Sequence, residues 1–106
     1  MIIYGLKNCD TCRKVMKALP GAELRDVRVD PVPEAILTAA LAHFGEALVN
    51  KRSTTWRGLN ESERAQQPMT LILAYPAVMK RPLIAVDKSF FLGWNSAIEL
   101  EIKALL

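Results

Sequence analysis

Four short apolar segments, two near each end of the chain, constrain the fold more than any other feature of this sequence. The first pair covers residues 1–4 and 23–29, and the second pair covers residues 83–86 and 89–92. A helical pattern separates the members of the first pair, so they form a βαβ unit, which needs a parallel strand pair and a right-handed crossover. Only Asp87-Lys88 separates the second pair, a spacing typical of a β-hairpin.

Helical patterns fill the rest of the chain. Pro20-Gly21 ends the first helix, and Gly45 ends the second. Residues 51–58 lack such a pattern and are predicted to form a basic loop. The first predicted helix covers residues 10–19 and is capped by Asn8 or Asp10. The last predicted helix is capped by Asn95 or Ser96 and places Ile98, Ile102 and Leu105 on its inner face. Between them, helices are predicted from Pro33 to Phe44, at residues 47–50, from a start at residues 60–63, and at residues 68–75.

This element order predicts an α/β fold with a four-stranded mixed sheet flanked by helices. It is the thioredoxin-like plan, with a helical insertion between a βαβ half and a ββα half. A chain of 106 residues fits one domain, spanning residues 1–106, and a hydrophobic content of 51% suffices for its core.

The composition favours a cytoplasmic protein. The N-terminus runs straight into an apolar strand and lacks the pattern of a signal peptide, and no segment is long and apolar enough to span a membrane. The net charge of +3 permits an anionic substrate or partner but does not indicate direct DNA binding.

Cys9 and Cys12 are the candidate catalytic residues. They lie where the first strand has ended and a helix begins, so backbone N–H groups and the helix dipole favour a thiolate at Cys9. Lys7, Arg13 and Lys14 act in the same direction, whereas Asp10 opposes them. Cys12, one helical turn on, could resolve a mixed disulfide or form a reversible disulfide with Cys9.

Two other interpretations of the cysteines compete with a redox role. A Cys-x-x-Cys pair can be half of a zinc site, but the chain offers no second ligand pair, and His43 is its only histidine. No metal site is therefore expected. Alternatively, both cysteines could be inert core residues. The polar neighbours Asn8 and Arg13, which we also count as candidate anion-binding residues, argue against that.

Cations elsewhere in the sequence are further candidates for binding an anion. Arg81 precedes Pro82, which stands where a cis-proline would face the nucleophilic cysteine of a thioredoxin-like fold. The alternatives are a solvated charge and an ordinary proline at a strand start. Three cations around Trp56 suit a carboxylate or phosphate, or are simply solvated, namely Lys51, Arg52 and Arg57.

Several of these motifs together resemble the arsenate reductase (ArsC)-like family, and within it the Spx/MgsR/YffB group. The motifs are Tyr4-Gly5-x-x-Asn8-Cys9-x-Thr11-x-Arg13-Lys14, Asn50-Lys51-Arg52-Ser53-Thr54-Thr55-Trp56-Arg57, Lys80-Arg81-Pro82-Leu83 and Leu92-Gly93-Trp94. The resemblance implies Cys9 as the nucleophile, with glutathione and glutaredoxin as sources of reducing equivalents. Of the three arginines that hold the oxyanion in arsenate reductases, it matches one, Arg81; the other two positions fall at Asn50 and near Trp94.

The resemblance leaves three hypotheses about function. The first is a glutathione- or thiol-dependent reductase in which glutathione, or a small thiol or anionic substrate, meets Cys9. The second is a redox-sensing regulator of the Spx type, which binds the RNA polymerase α-subunit through a Cys9–Cys12 switch. The third is a genuine arsenate reductase. YffB-like members commonly lack a second cysteine, so Cys12 departs from their pattern.

Overall fold

The computed structural model describes residues 1–106 and confirms the predicted α/β architecture. The strands are β1 (Ile2–Gly5), β2 (Glu23–Asp26), β3 (Leu83–Val86) and β4 (Ser89–Leu92). The helices are α1 (Asp10–Ala18), α2 (Glu34–Phe44), α3 (Thr54–Arg57), α4 (Glu61–Arg64), α5 (Pro68–Ala74) and α6 (Ser96–Leu105), with 3-10 turns at Gly45–Leu48 and Pro76–Val78.

The sheet is mixed and has the strand order β2-β1-β3-β4. β1 pairs with β2 in parallel, placing Gly5 beside Asp26, whereas β1–β3 and β3–β4 are antiparallel. The carboxyl ends of the parallel strands therefore meet at one edge of the sheet. The same edge receives the N-terminus of α1, because that helix starts only a short loop after β1.

Two hydrophobic clusters cover the two faces of the sheet, and the strands alternate between them as the pleat requires. Ile3 and Ile84 belong to the smaller cluster, with Val15 of α1 and Ile102 of α6. Tyr4 and Leu83 belong to the larger cluster, formed mostly by the helical insertion with Leu37, Leu48, Leu71 and Met79. The insertion thus supplies one face of the core, and α1 and α6 supply the other.

Several element boundaries differ from the sequence predictions. β2 stops at Asp26 rather than Val29, because the Asp26 carboxylate accepts the Arg28 N–H and turns the chain. Residues 51–58 are not wholly a loop, since Ser53 caps the helical turn α3. The short helix predicted at residues 47–50 is instead a 3-10 turn at Gly45–Leu48.

Of the predictions for the later elements and the helix caps, some are confirmed and others are wrong. The predictions for α5, the β3–β4 hairpin and the Asn95 cap of α6 are confirmed. Asn8 and Asp10 are wrong as caps of α1, where Cys9 itself is the N-cap residue. Leu105 was predicted to face the core but is 52% exposed, because it lies in the last turn of α6, beyond the edge of the sheet core. None of the helices combines the length and apolar character needed to cross a membrane.

Candidate active site

Cys9 occupies the N-cap position of α1, with extended backbone torsion angles of φ −90° and ψ 121°. Its own N–H donates to Leu6 O at 3.2 Å, and its carbonyl accepts the Arg13 N–H at 3.0 Å. The sulfur makes no capping hydrogen bond to the helix backbone in the way a serine or aspartate would. Cys9 is also partly exposed, so the main chain fixes its position while the sulfur remains accessible.

Cys12 lies one turn further along α1 and is fully buried. It packs beneath the end of β1, where a Cβ atom on Gly5 would overlap its Sγ atom. Position 5 therefore excludes any side chain, which gives the glycine a packing role rather than a turn role. Both cysteines are free thiols.

The two thiols have opposite pKa shifts. Burial raises the pKa of Cys9, but the Cys12 N–H and thiol and the Arg81 guanidinium favour its thiolate, outweigh burial and lower the pKa. Burial raises the pKa of Cys12 to about 11, and the neighbouring Cys9 sulfur adds to the rise. At neutral pH Cys12 therefore stays protonated, and its thiol favours the thiolate form of Cys9. The main cations acting on Cys9 differ from those predicted, because Arg81 takes the place of Lys7, Arg13 and Lys14.

Arg81 is the cation that acts on the Cys9 thiol. The peptide bond between Arg81 and the buried Pro82 is cis, which agrees with the cis-proline interpretation and not with an ordinary proline at a strand start. One guanidinium nitrogen, Nη1, donates to Ala77 O at 2.8 Å, while Nε is buried and has no hydrogen-bond partner. A buried charged donor without a partner is costly, so this nitrogen is available to a sulfur anion or to an oxygen of a bound ligand.

The loop between β1 and Cys9 is tied to β2 by residues that sequence reasoning missed. Asp26 is 6% exposed and accepts the Lys7 N–H at 3.2 Å. It also binds the guanidinium of Arg28, whose Nη2 atom donates to Asn8 Oδ1 at 3.3 Å. Arg13 Nε donates to Lys7 O at 3.1 Å. Asn8 thus accepts from Arg28 in the turn after β2, whereas Arg13 bonds to the loop and lies 4.0 Å from the carboxylate of Asp10 in α1.

The predicted cation group around Trp56 forms a separate cluster. Lys51 Nζ lies 5.7 Å from the centre of the Trp56 ring, and Arg64, which the sequence did not flag, lies over the ring at 5.6 Å. Arg57 Nη2 donates to Arg52 O at 2.9 Å. None of the hydrogen bonds or ion pairs of these cations involves Cys9, Cys12 or Arg81. The role of Lys51, Arg52 and Arg57 in binding an anion stays a prediction.

The Trp56 cluster nevertheless adjoins the segment that carries Arg81. Asn50 N donates to Val78 O and Lys80 N donates to Leu48 O, both at 2.8 Å, in an antiparallel bridge between Val49 and Met79. The structure therefore brings Cys9, Cys12, Arg81 and Pro82 together and joins the base of the loop to the same segment. No group of three His, Cys, Asp or Glu side chains could hold a metal ion.

Two signals could have identified the missed residues. An aspartate at a strand end, two residues before an arginine, is a recognised pattern for a side-chain turn that holds the backbone. Ser53 three residues before Trp56 has the spacing of a helix N-cap to its N3 residue. Both patterns are short and common, and without the fold nothing ties them to the cysteines.

A family model decides the classification, since the model of the ArsC family matches residues 4–102. The chain belongs to the ArsC family. The match covers nearly the whole chain, including both cysteines and Arg81, and it confirms the resemblance seen in the sequence motifs.

Individual relatives agree with this membership. An uncharacterized protein of Haemophilus influenzae is 41% identical over 102 residues, covering 88% of this chain and 90% of that protein. Among solved structures, the YFFB protein superposes with a TM-score of 0.84 and 25% identity, covering 94% of this chain and 96% of that one. An arsenate reductase (ArsC) related protein from Brucella melitensis gives a TM-score of 0.69 and 30% identity, covering 99% of this chain and 94% of that one.

Proposed function

We propose that this ArsC family member is a thiol-dependent reductase that uses Cys9 as its nucleophile and glutathione or a similar small thiol as its reductant. The observation that carries the proposal is the environment of Cys9. A partly exposed sulfur lies at a helix N-cap, where Cys12 and the Arg81 guanidinium favour its thiolate and lower its pKa. Because the thiolate is the attacking form, such a site favours thiol–disulfide exchange at neutral pH.

The reaction proceeds by exchange at sulfur. The Cys9 thiolate attacks one sulfur of a substrate disulfide, which forms a mixed disulfide and releases the other half as a thiolate that takes up a proton. A first glutathione thiolate attacks Cys9 Sγ and is joined to it while the second substrate half leaves. A second glutathione thiolate then attacks the bound glutathione sulfur, giving oxidised glutathione and restoring the Cys9 thiolate. Overall, one disulfide is reduced and two glutathione molecules are oxidised.

Cys12 has two roles open to it within this scheme. In the resting site its protonated thiol donates to Cys9, consistent with its raised pKa and complete burial. After a mixed disulfide has formed, Cys12 could instead attack Cys9 Sγ and close a Cys9–Cys12 disulfide, which the spacing permits. The second route needs Cys12 to lose its proton first, so in this proposal donation is its main role.

Arg81 is proposed to serve both the thiolate and the substrate. Its buried Nε atom has no protein partner, and a guanidinium matches a carboxylate such as those of glutathione. The further cations proposed to contact an anionic substrate are Arg13 beside Cys9 and Lys51, Arg52 and Arg57 of the loop, with Asn8 as a polar contact. The proposed compartment is the cytoplasm, where a glutathione pool keeps thiols reduced.

The direct test is reduction of a small disulfide by glutathione, followed through oxidised glutathione, together with the pH dependence of Cys9 alkylation. We expect turnover by the wild type, none by Cys9→Ser, and a Cys9 pKa below that of a free thiol. Cys12→Ser is the matched control, since it removes the second cysteine and keeps the nucleophile. An ordinary Cys9 pKa together with no turnover would refute the proposal.

Arsenate reduction is the second candidate. The partnerless Nε atom of Arg81 would suit an oxyanion, and one structural relative is described as arsenate reductase related. However, Asn50 is uncharged, and its Oδ1 already accepts the Arg52 N–H. Arsenate-dependent oxidation of glutathione by the wild type would favour this candidate. Redox-dependent binding to the RNA polymerase α-subunit, or a partnership with glutaredoxin, stays a prediction from the sequence.

A further inference from the structure

Asp26 and Arg28 form an ion pair at the end of β2, next to the loop that carries Cys9. The Asp26 carboxylate is nearly buried and accepts four hydrogen bonds, from the Lys7 N–H at 3.2 Å, the Arg28 N–H at 3.0 Å, and Arg28 Nε and Nη2 at 3.3 and 3.1 Å. Neither residue belongs to the motifs that identified the cysteine site, and neither is among the groups that set the Cys9 pKa.

The hydrogen bonds of this pair reach the main chain and the side chain just before Cys9. Asp26 accepts a hydrogen bond from the Lys7 N–H, and Arg28 Nη2 donates one to Asn8 Oδ1 at 3.3 Å. Arg13 Nε of α1 donates to Lys7 O at 3.1 Å, so hydrogen bonds from α1 and from the end of β2 both hold the Lys7–Asn8 segment. Lys7 and Asn8 are exposed, whereas the chain on either side of them is held by the bond from the Cys9 N–H to Leu6 O and by the burial of Leu6.

We propose that Asp26, with Arg28, is a positioning residue that fixes the Lys7–Asn8 loop and thereby holds Cys9 at the start of α1, where its sulfur meets its hydrogen-bond donors. This inference rests on the proposed role of Cys9 as a nucleophile. Small displacements of a reacting group cost much of its reactivity. The carboxylate would therefore act on Cys9 through the loop rather than through its own charge.

Charge and positioning predict opposite effects for the same substitution. If Asp26 acted only as a negative charge, Asp26→Asn would remove repulsion, leave the Arg28 cation unpaired, and make the Cys9 thiolate easier to form. If Asp26 positions the loop, Asp26→Asn loosens the grip on Lys7 and Arg28, and Cys9 reacts more slowly. The double variant Asp26→Asn/Arg28→Gln removes both charges of the pair, so any remaining effect comes from positioning.

β2 itself offers a matched control. Glu23 and Arg25 form an acid–arginine ion pair with the same spacing, with Arg25 Nε 2.6 Å from Glu23 Oε2, and this exposed pair makes no hydrogen bond to the Cys9 loop. Glu23→Gln/Arg25→Gln removes an ion pair of the same strand that does not hold the Cys9 loop. It should leave the alkylation of Cys9 unchanged.

The experiment measures the rate of Cys9 alkylation by iodoacetamide between pH 5 and 9 in a Cys12→Ser background, where only one thiol reacts. We expect the rate at pH 7 to fall roughly three- to tenfold in Asp26→Asn and in the double variant, with the pH profile moved to higher pH. An unchanged or faster rate in both would overturn the inference. A merely structural role would lower the melting temperature without moving the pH profile of the folded protein.

Two further comparisons separate a folding failure and a failure of the proposed function from a failure of this inference. If Asp26→Asn does not fold, Arg28→Lys replaces it, because this variant keeps the positive charge and loses the hydrogen bond to Asn8. The Arg28 side chain is 48% exposed, so the substitution is compatible with folding. Slower alkylation of Cys9 in Arg28→Lys supports the inference, and an unchanged rate overturns it. If wild-type Cys9 itself reacts as a free thiol, the proposed function fails. A reactive wild type matched by all the variants rejects the positioning role alone.

Discussion

Two arginine-bearing regions of this molecule carry similar motifs in sequence and differ in what their guanidinium groups already contact. In the Trp56 cluster, Arg57 and Arg64 donate to main-chain carbonyls, and Arg64 lies over the indole ring. Beside Cys9, Arg81 donates to one carbonyl through Nη1 and keeps a buried Nε atom without a partner. Donors of Arg57 and Arg64 are thus already used to hold the loop, whereas Arg81 keeps a buried donor that a ligand or a thiolate can meet.

A basic sequence motif therefore indicates anion binding only where the N–H donors of its side chains are not already bonded to the protein. A guanidinium has five N–H donors, and each one that meets a carbonyl is lost to a ligand. Substitutions in the Cys9 site and in the Trp56 cluster test this contrast.

The sharpest test within the Cys9 site compares its two cysteines. We expect Cys9→Ser to lower glutathione-dependent disulfide reduction by about a thousandfold or more, since removing a nucleophile abolishes the covalent route. Cys12→Ser should cost only about tenfold, because a serine hydroxyl can still donate to Cys9. The measurement is kcat/KM for a small disulfide. An equal loss in both variants would instead make Cys12 an obligatory resolving thiol.

The second prediction sets an arginine of one region against an arginine of the other. Arg81→Met should lower kcat/KM by about tenfold to a hundredfold, because it removes a charge-assisted donor to the thiolate. The pKa of Cys9 should rise at the same time, which the pH dependence of alkylation measures.

Arg64→Met is the matched control for Arg81→Met. It removes the same cationic group from the Trp56 cluster and should leave kcat/KM and the Cys9 pKa near the wild-type values. Equal losses in the two variants would erase the distinction between the regions. They would also favour the sequence-based prediction that the basic loop binds an anion.

The third prediction concerns stability at alkaline pH. The pKa of Cys12 is raised in the folded protein to about 11, from an ordinary value of 9.0. Between these values the unfolded chain releases a proton that the folded chain retains, so stability is full below pH 9 and is lost as pH rises towards 11. A shift of this size corresponds to about 2 to 3 kcal/mol.

Urea unfolding at pH 8.5 and pH 10.5 measures this loss. The wild type should lose about 2 kcal/mol more than Cys12→Ser over that range, because the variant lacks the buried thiol. Lysines and tyrosines titrate in both proteins and cancel in the comparison. Equal losses would mean that Cys12 is not held protonated by its burial under Gly5.

The sequence predicted the strands and the location of Cys9 at the start of α1 for a physical reason. Strand identity follows from short apolar runs, and the position of Cys9 follows from the end of β1 and the start of α1, which are close in the chain. The cis bond before Pro82 was one of two interpretations of its place before β3, the other being an ordinary proline at a strand start. These features depend on local pattern and on the order of elements.

The features that were missed depend on contacts between distant segments. Asp26 reaches Lys7 across 19 positions of the chain, and Arg64 reaches Trp56 across 8. The partial burial of Arg81 against Ala77 O, which leaves its Nε atom without a partner, follows from packing and not from its neighbours in the sequence. Charge alone did not distinguish Arg81 from Arg57, because only their surroundings differ.

The smallest expected effect belongs to the Trp56 cluster and concerns its construction. Ser53 Oγ accepts the Trp56 N–H at 3.1 Å and donates to Asn50 O at 2.7 Å, so it caps α3 and closes the loop. Ser53→Ala should lower the free energy of unfolding by about 1 kcal/mol, the usual cost of losing an N-cap. Ser62→Ala, an exposed serine in α4 without such bonds, should change it by less than about 0.5 kcal/mol. If the Trp56 cluster has only a structural role, Ser53→Ala leaves the kcat of disulfide reduction unchanged. A fall in kcat together with the fall in stability would indicate that this loop takes part in the active site with Arg81.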